Sequence, residues 1–481
     1  MSDFRLPENL SGIRIHMVGI KGTGMAAFAE ILSGAGAVLT GSDVPEQFYT
    51  DEILKKLNIV PFTSFEASHI TGELDYVIHS SAYKKEENPE LLEAKKLGIP
   101  VLLYTEALGA YSRNSFSCAV SGVHGKTSTT GLAGTVLKSL GLPFSVLAGS
   151  RINSFNDSCT LTCGHKYFVA ETCEYQKHFL SFHPEKIILT SVESDHQDFY
   201  PTYESILSAF MQFIELLPDM GEVIYCADDP GASETVKLIY TSRPDLVYTP
   251  YGEKATGEFK IKIQGIENER QVFTLEGFPG PFKLRVPGRH NIKNAAAAIA
   301  LAVSLVQKEK GQVTLEDIGR IRMGLEAFTG AKRRCEILGE AGGVLFMDDY
   351  GHHPTAIKTT LAGLREFYPE RRLIVDFMSH TYSRTAALLD EFASSFDDAD
   401  ILVLHPIYGS AREVYTGGVN GYTLYEKCAG RYKNVFYAET FQEGEEIIQN
   451  NLSPGDLVLT LGAGDNWKVG KNLLEKLKAG K

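Results

Sequence analysis

The sequence lacks the features that would carry it into or across a membrane. It has no run of about 18 apolar residues, so no segment is expected to span a bilayer. The N-terminal stretch MSDFRLPENL is polar and has neither the basic start nor the apolar run of a secretory signal. We therefore expect a cytoplasmic protein without stable membrane insertion.

Positive charge and paired cysteines are also scarce. The chain has 47 basic and 60 acidic residues, a net charge of -13, which argues against nucleic-acid or anionic-membrane binding. Any anionic ligand must be held by a local site.

The seven cysteines form no paired framework, which favours a reducing compartment. Cys159, Cys163 and Cys173 lie close together, but no CxxC or matched histidine spacing supports a zinc site there.

Short apolar runs alternate with helical stretches along almost the whole chain. RIHMVGI, FSCAVSG, KYFVAE, KIILTS, GGVLFMD, RLIVDF and DLVLTL are examples of these runs. This alternation is typical of parallel sheets built from crossover units. Shorter segments rich in Gly and Pro interrupt it between about 245 and 287, and no internal repeat is visible. The pattern predicts three α/β domains in series, at 1–114, 115–328 and 329–481.

Residues 122–127, Gly-Val-His-Gly-Lys-Thr, stand between a predicted buried strand and a helix N-terminus. Glycines allow backbone N–H groups to approach phosphate oxygens, and the helix dipole favours an anion. Lys126 adds a point charge, and the Thr127 hydroxyl can bind Mg²⁺. Because Val120 stands where the common loop has its first glycine, this loop is a shorter form. The sequence predicts a phosphate loop; the alternative is a glycine-rich turn with a solvated lysine.

Two further groups follow predicted strands of the same sheet. Glu171 ends KYFVAE, and Asp195 and His196 come just after KIILTS. Ligands of open parallel sheets collect at the carboxyl ends of the strands, so these side chains are candidate metal ligands beside Lys126. Taken alone, Glu171 could be a solvated strand-end carboxylate, and His196 a capping or core residue.

At this point the chain resembles the Mur ligase family. The matching segments, in family order over nearly the whole chain, are VGIKGTGMA, GSD, HSSA, GVHGKTSTT, AETCEYQ, ESDH, GRHNIKNAAAA, FTGAKRRCE, DDYGHHP, SHTYSRT and GAGD. The resemblance implies an N-terminal Rossmann-like domain that binds a UDP-sugar and a central P-loop ATPase-like domain. It also implies a C-terminal Rossmann-like domain that contributes to ATP and amino-acid binding.

The resemblance also implies an activity. It points to an ADP-forming, ATP-dependent ligase of peptidoglycan precursor synthesis that joins the carboxylate of UDP-N-acetylmuramate to L-alanine through an acyl phosphate. ATP and Mg²⁺ would be its cofactors, UDP-N-acetylmuramate and L-alanine its substrates, and either a monomer or a homodimer is compatible with the sequence.

The implied ATP site combines the phosphate loop with motifs of the second and third domains. Its residues would be Gly122, Val123, His124, Gly125, Lys126, Thr127, Ser128, His290, Asn291, Asn294, Arg334 and Asp349. Arg333 could take the place of Arg334. Lys126, Glu171 and His196 would be catalytic, and Thr127, Glu171 and His196 would bind metal, although histidine is an unusual ligand for Mg²⁺. Alone, the HNxxN pattern could also be a helix cap.

Two more sets complete the implied site. The UDP-sugar set is Gly19, Gly22, Thr23, Gly24, Asp43, Ser80, Ser81 and Glu174. The amino-acid set is Tyr350, His352, His380 and Arg384, in which the planar fork of the arginine suits a carboxylate. The glycines could instead be strand-to-helix packing positions, and the histidines a solvated cap. Ser379 and Thr381 stand where the family motif is expected to have Pro and Arg.

Three other functions remain open from the sequence. A related ligase that attaches a whole peptide to the same sugar during wall recycling would share the domains and the ATP chemistry. The run Gly22-x-Gly24-x-x-Ala27, with Asp43 beyond it, also fits the dinucleotide fingerprint of an NAD-dependent dehydrogenase. A non-catalytic nucleotide-binding regulator on the same scaffold is the third.

Overall fold

The N-terminal domain is a small parallel sheet with helices on its faces. The computed structural model describes residues 5–48, 50–196, 199–409, 413 and 415–480. The strands of this domain are β1 (Arg14–Val18), β2 (Val38–Ser42), β3 (Tyr76–His79) and β4 (Val101–Leu103), and its helices are α1 (Thr23–Gly34), α2 (Asp51–Lys56), α3 (Pro89–Lys96) and α4 (Tyr104–Ser112). The strand order is β2-β1-β3-β4. Because helices cover both faces, β1 is buried at every position after Arg14.

The middle domain is built on a seven-stranded sheet. It contains β5 (Phe116–Ser121), α5 (Lys126–Leu140), β6 (Phe144–Ile152), β7 (Ser158–Thr162), β8 (Tyr167–Glu171), β9 (Lys186–Leu189), α6 (Tyr203–Ile214), β10 (Glu222–Cys226), α7 (Pro230–Ile239) and β11 (Val247–Tyr251). The order is β11-β10-β9-β5-β8-β6-β7, in which β7 alone is antiparallel to its neighbour. The phosphate-loop strand β5 is therefore central, between β8 and β9.

A smaller sheet and two helices complete the middle domain. The chain adds β12 (Ile261–Ile266), β13 (Gln271–Leu275) and β14 (Phe282–Leu284), and then α8 (Arg289–Lys310) and α9 (Leu315–Ala327). The three strands form an antiparallel sheet in the segment where the sequence pattern changes. The alanine-rich α8 packs against α5, because small side chains allow two helices to approach closely.

The C-terminal domain is a second, larger α/β unit. Its elements are β15 (Glu336–Ala341), β16 (Val344–Asp349), α10 (Pro354–Phe367), β17 (Leu373–Met378), α11 (Tyr382–Ala387), α12 (Leu389–Ala393), β18 (Ile401–Leu404), α13 (Gly421–Ala429), β19 (Val435–Tyr437), α14 (Phe441–Asn451), β20 (Leu457–Gly462) and α15 (Trp467–Lys478). The strand order is β15-β16-β20-β17-β18-β19, parallel except for β15. The predicted α/β fold with three domains in series is confirmed.

The N-terminal domain packs on the β6–β7 hairpin of the middle domain. In this interface the carboxylate of Glu30 on α1 accepts hydrogen bonds from Ser158 Oγ at 2.7 Å and Thr160 Oγ1 at 3.1 Å. Phe28 and Phe168 lie edge-on to the ring of Tyr111. Because buried apolar side chains of both domains form one cluster, the two domains share a core. In the described part of the chain, no helix is both long and apolar enough to cross a membrane.

A buried polar network lies beneath the carboxyl edge of the C-terminal sheet. His405 Nε2 lies 2.7 Å from Asp376 Oδ2, and Asn466 Nδ2 donates to Asp376 Oδ1 at 3.0 Å. Burial opposes protonation of the imidazole, but the charge of Asp376 outweighs it, and the pKa of His405 is raised. A histidine whose pKa is raised by folding stabilises the protein fully below its unfolded pKa of about 6.5. That contribution is lost as the pH rises through the folded value.

This linkage predicts pH-dependent stability of the C-terminal domain. Asp376→Asn should lower its free energy of unfolding by about 3–5 kcal/mol near pH 6, the cost of breaking a buried pair, and by less near pH 9. The fluorescence of Trp467, the only tryptophan in the chain, reports unfolding of this domain. Asp465→Asn, which alters an exposed carboxylate next to the network, is the control. A difference between wild type and Asp376→Asn that does not change with pH would contradict the linkage.

Candidate active site

A cavity of about 340 Å³ opens between the middle and C-terminal domains. Its wall includes the loop between β5 and α5, the carboxyl ends of β8 and β9, the start of α8 and the segment leading into α10. All of the predicted ATP-binding residues except Gly122 line it, namely Val123, His124, Gly125, Lys126, Thr127, Ser128, His290, Asn291, Asn294, Arg334 and Asp349. Residues far apart in sequence therefore meet at one nucleotide-sized space.

The phosphate loop depends on two glycines with positive φ. Gly122 has φ 134° and Gly125 has φ 81°. A Cβ on Gly125 would lie 2.6 Å from Asn294 Oδ1, and one on Gly122 would collide with the hydroxyl of Thr190. Asn294 is itself held by Asn291, whose Oδ1 accepts from Asn294 Nδ2 at 3.1 Å. The close contact between the loop and the start of α8 therefore requires glycine at position 125.

Lys126 reaches from the start of α5 towards a buried carboxylate. Its Nζ donates to Glu174 Oε2 at 2.9 Å and to the carbonyl oxygen of Val123 at 3.3 Å. Burial opposes the charged form of the lysine, but the carboxylate of Glu174 outweighs it, so the pKa of Lys126 is raised. The same pair lowers the pKa of Glu174 against the effect of burial. Lys126 is therefore a fixed positive charge at the phosphate loop.

Glu174 lies at the phosphate end of the site, although it was predicted among the UDP-sugar residues. Besides Lys126 it faces His196, whose Nε2 is 3.4 Å from Glu174 Oε1. His196 has φ 54°, and its ring is tilted by 47° against that of Tyr175, with ring centroids 4.8 Å apart. The buried carboxylate of Glu174 thus lies between Lys126 of the phosphate loop and His196 after β9.

Thr127 and Glu171 form an oxygen pair suited to a divalent cation. Thr127 Oγ1 donates to Glu171 Oε1 at 3.1 Å, and Glu171 Oε2 accepts from the backbone of Gly149 at 2.6 Å. A hydroxyl and a carboxylate beside a phosphate loop are the hard ligands that Mg²⁺ prefers. His196, the third predicted metal ligand, contacts Glu174 rather than this pair. The donor set fits Mg²⁺ at Thr127 and Glu171.

The two adjacent arginines before β15 have different surroundings. Arg334 lines the cavity and lies over the ring of Tyr350 at 5.3 Å. Arg333 also lies over the Tyr350 ring, at 5.2 Å, but it donates to Asp348 Oδ2 at 2.9 Å and to the carbonyl oxygen of Gly462 at 2.6 Å, inside the C-terminal domain. Of the two alternatives left open by the sequence, Arg334 is the one that lines the cavity.

Asp349 ties together two backbone segments at the cavity wall. Its Oδ2 accepts from the N–H of Cys335, and its Oδ1 from the N–H of Gly351, both at 2.7 Å. Across the cavity, burial lowers the pKa of His290 to about 4, so this ring is neutral at physiological pH. At this end of the cavity His290 therefore offers a neutral ring rather than a positive charge.

The four predicted amino-acid residues lie together beside the cavity. Ring centroids of Tyr350 and His352 are 5.0 Å apart, and those of His352 and His380 are 5.3 Å apart. Arg384 Nη1 donates to the carbonyl oxygen of His380 at 2.9 Å, and Nη2 to Asp195 Oδ1 at 2.6 Å. Arg384 Nε is buried without a hydrogen-bond partner among the described residues, so it can still donate to a ligand.

Asp195 was predicted with His196 as a candidate metal ligand, but in the structure it positions Arg384. Its burial favours the neutral acid, yet the guanidinium of Arg384 outweighs this and lowers the pKa of Asp195. A carboxylate directly before a predicted metal-binding histidine was the available signal. The partner of Asp195 is Arg384, 189 positions further along the chain, and the spacing of residues in the sequence could not predict this contact.

The predicted UDP-sugar loop forms around a tyrosine that the sequence did not single out. A Cβ on Gly19 would lie 2.6 Å from the ring of Tyr83 and 3.0 Å from Ser80 Cβ. The Tyr83 hydroxyl donates to Asp43 Oδ1 at 3.1 Å, and the N–H of Lys21 donates to Asp43 Oδ2 at 2.7 Å. Asp43 is buried and shapes this loop through both oxygens. Tyr83 lies one short turn after Ser80, and this closeness was the only local feature of the sequence that could have indicated its role.

The remaining predicted UDP-sugar residues lie at the start of α1 and after β3. Gly22 precedes α1, and Thr23 and Gly24 form its first turn. A Cβ on Gly24 would lie 3.0 Å from the ring of Tyr104, so this glycine has a packing role as well. Ser81 is exposed.

Family models match each domain in turn. They are described as the Mur ligase family catalytic domain at residues 14–115, the Mur ligase middle domain at 120–302 and the Mur ligase glutamate ligase domain at 333–464. A UDP-N-acetylmuramate–L-alanine ligase from Treponema pallidum strain Nichols is 54% identical over 473 residues, which cover 98% of each chain. This chain belongs to the Mur ligase family.

Two solved structures place this Mur ligase among its relatives. A UDP-N-acetylmuramate–alanine ligase from Thermotoga maritima matches with a TM-score of 0.77 at 25% identity, over 98% of this chain and 100% of that one. A murein peptide ligase from Psychrobacter arcticus shares the fold, with a TM-score of 0.64 at 21% identity, over 97% and 99% of the two chains. The family resemblance predicted from the motifs is confirmed.

The positions of Arg334 and Arg333 in this Mur ligase predict that substitutions of the two residues will weaken nucleotide binding to different extents. Arg334→Ala should weaken binding of a non-hydrolysable ATP analogue about 10- to 100-fold, because a charged hydrogen bond contributes about 1.5–3 kcal/mol. Arg333→Lys keeps a cation opposite Asp348 and should leave the affinity near that of the wild type. Titration calorimetry measures both. A larger loss in the Arg333 variant would reverse the assignment.

Proposed function

We propose that this chain is an ATP-dependent ligase that forms an amide bond between the carboxylate of UDP-N-acetylmuramate and L-alanine, with release of ADP and phosphate. The observation that carries the proposal is the meeting of two sites at one segment, residues 193–196. There, His196 faces Glu174, the partner of Lys126, and Asp195 pairs with Arg384 of the amino-acid set. A phosphate and an amine held by these residues would be neighbours.

The chemistry explains why those two groups must be close. A carboxylate is a poor electrophile because its negative charge repels a nucleophile and it has no good leaving group. When a carboxylate oxygen attacks the γ-phosphorus of ATP, the bond from that phosphorus to the β-phosphate oxygen breaks, and ADP leaves. The resulting acyl phosphate is attacked by the amine, and collapse of the tetrahedral intermediate gives the amide, phosphate and a proton.

The residues of the cavity supply positioning and charge rather than a covalent nucleophile. Lys126 and the N-terminus of α5 would stabilise negative charge on the transferring phosphoryl group. Thr127 and Glu171 would hold Mg²⁺, which supplies charge neutralisation on the phosphate oxygens when bound. The cavity between two domains would also keep water from the acyl phosphate.

His352 is suited to accept a hydrogen bond from the attacking amine. Burial, together with the charge of Arg384, lowers the pKa of His352 well below its usual value, so the ring is neutral. Its Nδ1 lies 2.9 Å from the carbonyl oxygen of Tyr350 and donates to it, which leaves Nε2 with a free lone pair. In our proposal the carboxylate of L-alanine binds Arg384, and its amine lies towards His352.

The comparisons favour L-alanine as acceptor over a whole peptide. The relative with 54% identity is named as an L-alanine ligase, and the alanine ligase structure matches better than the peptide ligase structure. An NAD-dependent dehydrogenase is disfavoured, because it would leave the phosphate loop at residues 122–127 without a function. A non-catalytic regulator would not need the paired Lys126 and Arg384 sites. We further propose a cytoplasmic enzyme, monomeric or homodimeric, in peptidoglycan precursor synthesis.

Phosphate release with ATP, Mg²⁺ and UDP-N-acetylmuramate tests the acceptor. L-alanine, L-serine, glycine and an alanyl tripeptide are supplied separately, and a reaction without amino acid is the blank. We expect the largest kcat/KM with L-alanine, confirmed by mass spectrometry of the amide product. Stimulation by the tripeptide alone would make the enzyme a recycling ligase. No acceptor-dependent release of phosphate at all would overturn the ligase assignment.

Lys126→Ala tests the phosphate loop. Turnover should fall at least about 10²- to 10³-fold, the scale on which loss of one charge-stabilising donor acts, while circular dichroism stays that of the wild type. Lys138→Ala, an exposed lysine in the last turn of the same helix, should keep wild-type turnover. Near-normal ATP-dependent product formation by Lys126→Ala would show that this loop does not bind the transferred phosphate.

A further inference from the structure

A second group of metal-ligating side chains lies in the cavity wall, apart from Thr127 and Glu171. His124 belongs to the phosphate loop, Glu193 follows β9, and His353 precedes α10. One ligand atom from each of the three lies within 4.8 Å of the other two. All three residues line the cavity. Two come from the middle domain and one from the C-terminal domain, so the group crosses the domain interface.

Glu193 is the centre of this cluster. Its Oε1 contacts His124 Nε2 and lies 3.9 Å from His353 Nδ1, while its Oε2 accepts from Thr355 Oγ1 at 3.1 Å. The rings of His124 and His353 are 5.3 Å apart and tilted by 47°, so they do not stack. Burial would favour the neutral acid, but the two histidines outweigh it, and the pKa of Glu193 is lowered. The group is therefore a carboxylate between two imidazoles.

The three facing atoms have few partners among the described residues. His124 Nε2 and Glu193 Oε1 are buried and contact each other, and neither has a further hydrogen-bond partner in that part of the chain. His353 Nδ1 accepts from the N–H of Thr355 only at 3.4 Å, which is a weak contact. A cation coordinated by these atoms would replace the proton between His124 and Glu193 and would give His353 Nδ1 a stronger partner.

Two imidazoles and one carboxylate select a particular class of cation. Mg²⁺ and Ca²⁺ prefer oxygen ligands, whereas imidazole nitrogen suits zinc and its neighbours in the transition series. Two histidines and one glutamate with an open fourth position are a common ligand set of zinc. The N-terminal dipole of α10 opposes a cation near His353, but direct coordination by three ligands is the stronger effect.

We propose that His124, Glu193 and His353 bind a divalent transition-metal ion of the zinc class. The ion links the middle domain to the C-terminal domain, because its ligands come from both. Its open coordination position faces the cavity. This site is separate from the oxygen pair of Thr127 and Glu171, and it does not depend on which amino acid the enzyme uses.

The test measures bound metal on the full-length protein. Wild type and variants are equilibrated with Zn²⁺ in excess Mg²⁺, dialysed and analysed for zinc by elemental analysis. Glu193→Gln keeps the shape of the side chain. His353→Asn keeps a side chain that can cap α10 but removes the imidazole. We expect each variant to bind one equivalent of zinc less than wild type, whereas His165→Asn, at an exposed histidine, should bind as much as wild type.

Cobalt provides a spectroscopic readout of the same site. Co²⁺ bound to wild type should give a visible absorption band of four-coordinate geometry, and this band should be absent in Glu193→Gln and His353→Asn. It should also persist in Glu171→Gln, which alters the oxygen pair instead. Equal zinc content in wild type and both cluster variants, or a cobalt band lost only in Glu171→Gln, would overturn the proposal.

Discussion

The buried ion pair between Asp195 and Arg384 is the contact on which the active-site geometry depends. It joins the segment after β9 to the start of α11, and both side chains are about one-tenth exposed. An ion pair so buried adds little net stability, because desolvation offsets the attraction, but loss of one partner is costly. Its effect is therefore to fix where the C-terminal domain sits relative to the phosphate loop. Glu366 and Arg289, paired at 3.0 Å, add a second and more exposed contact between the same domains.

Local charge explains how an acidic protein can hold anionic substrates. The net charge of -13 gives no general attraction for a nucleotide. At the cavity, however, Lys126, Arg334 and the N-terminus of α5 point at one space. Each cation that is buried is paired with a carboxylate, as Lys126 is with Glu174. These pairs keep the cations charged and fixed before any ligand arrives, which is the condition for electrostatic stabilisation without reorganisation.

Much of the fold follows from local sequence signals. The strands β1, β5, β8, β16 and β20 are buried apolar runs, and they lie where the pattern predicts them. Gly141 ends α5 in the left-handed conformation, and Pro354 begins α10, as the sequence indicates. The edge strands β7 and β15 were not predicted, because half-exposed strands with polar residues lack a continuous apolar run.

The candidate site could be predicted only where all the residues that act together lie in one contiguous motif. The phosphate loop is such a motif, since its glycines, lysine and threonine are contiguous. The roles of Glu174 and Asp195 depend on partners at Lys126 and Arg384, which are brought close by sheet order and domain packing. Asp43 lies after β2 as predicted, but its contacts with Tyr83 and the backbone of Lys21, which hold the loop, could not be predicted from the sequence.

Burial at the domain interface has two consequences that work in the same direction. It strengthens any bond between Arg384 and a carboxylate, because charges interact more strongly away from water. It also disfavours the protonated form of His352, so the ring stays neutral beside a permanent cation. If Arg384 and His352 were exposed to solvent, the stronger carboxylate binding and the neutral ring would both be lost. The position of these residues between two domains, rather than in one, thus allows a single closed interface to bind the carboxylate of an acid beside a neutral imidazole.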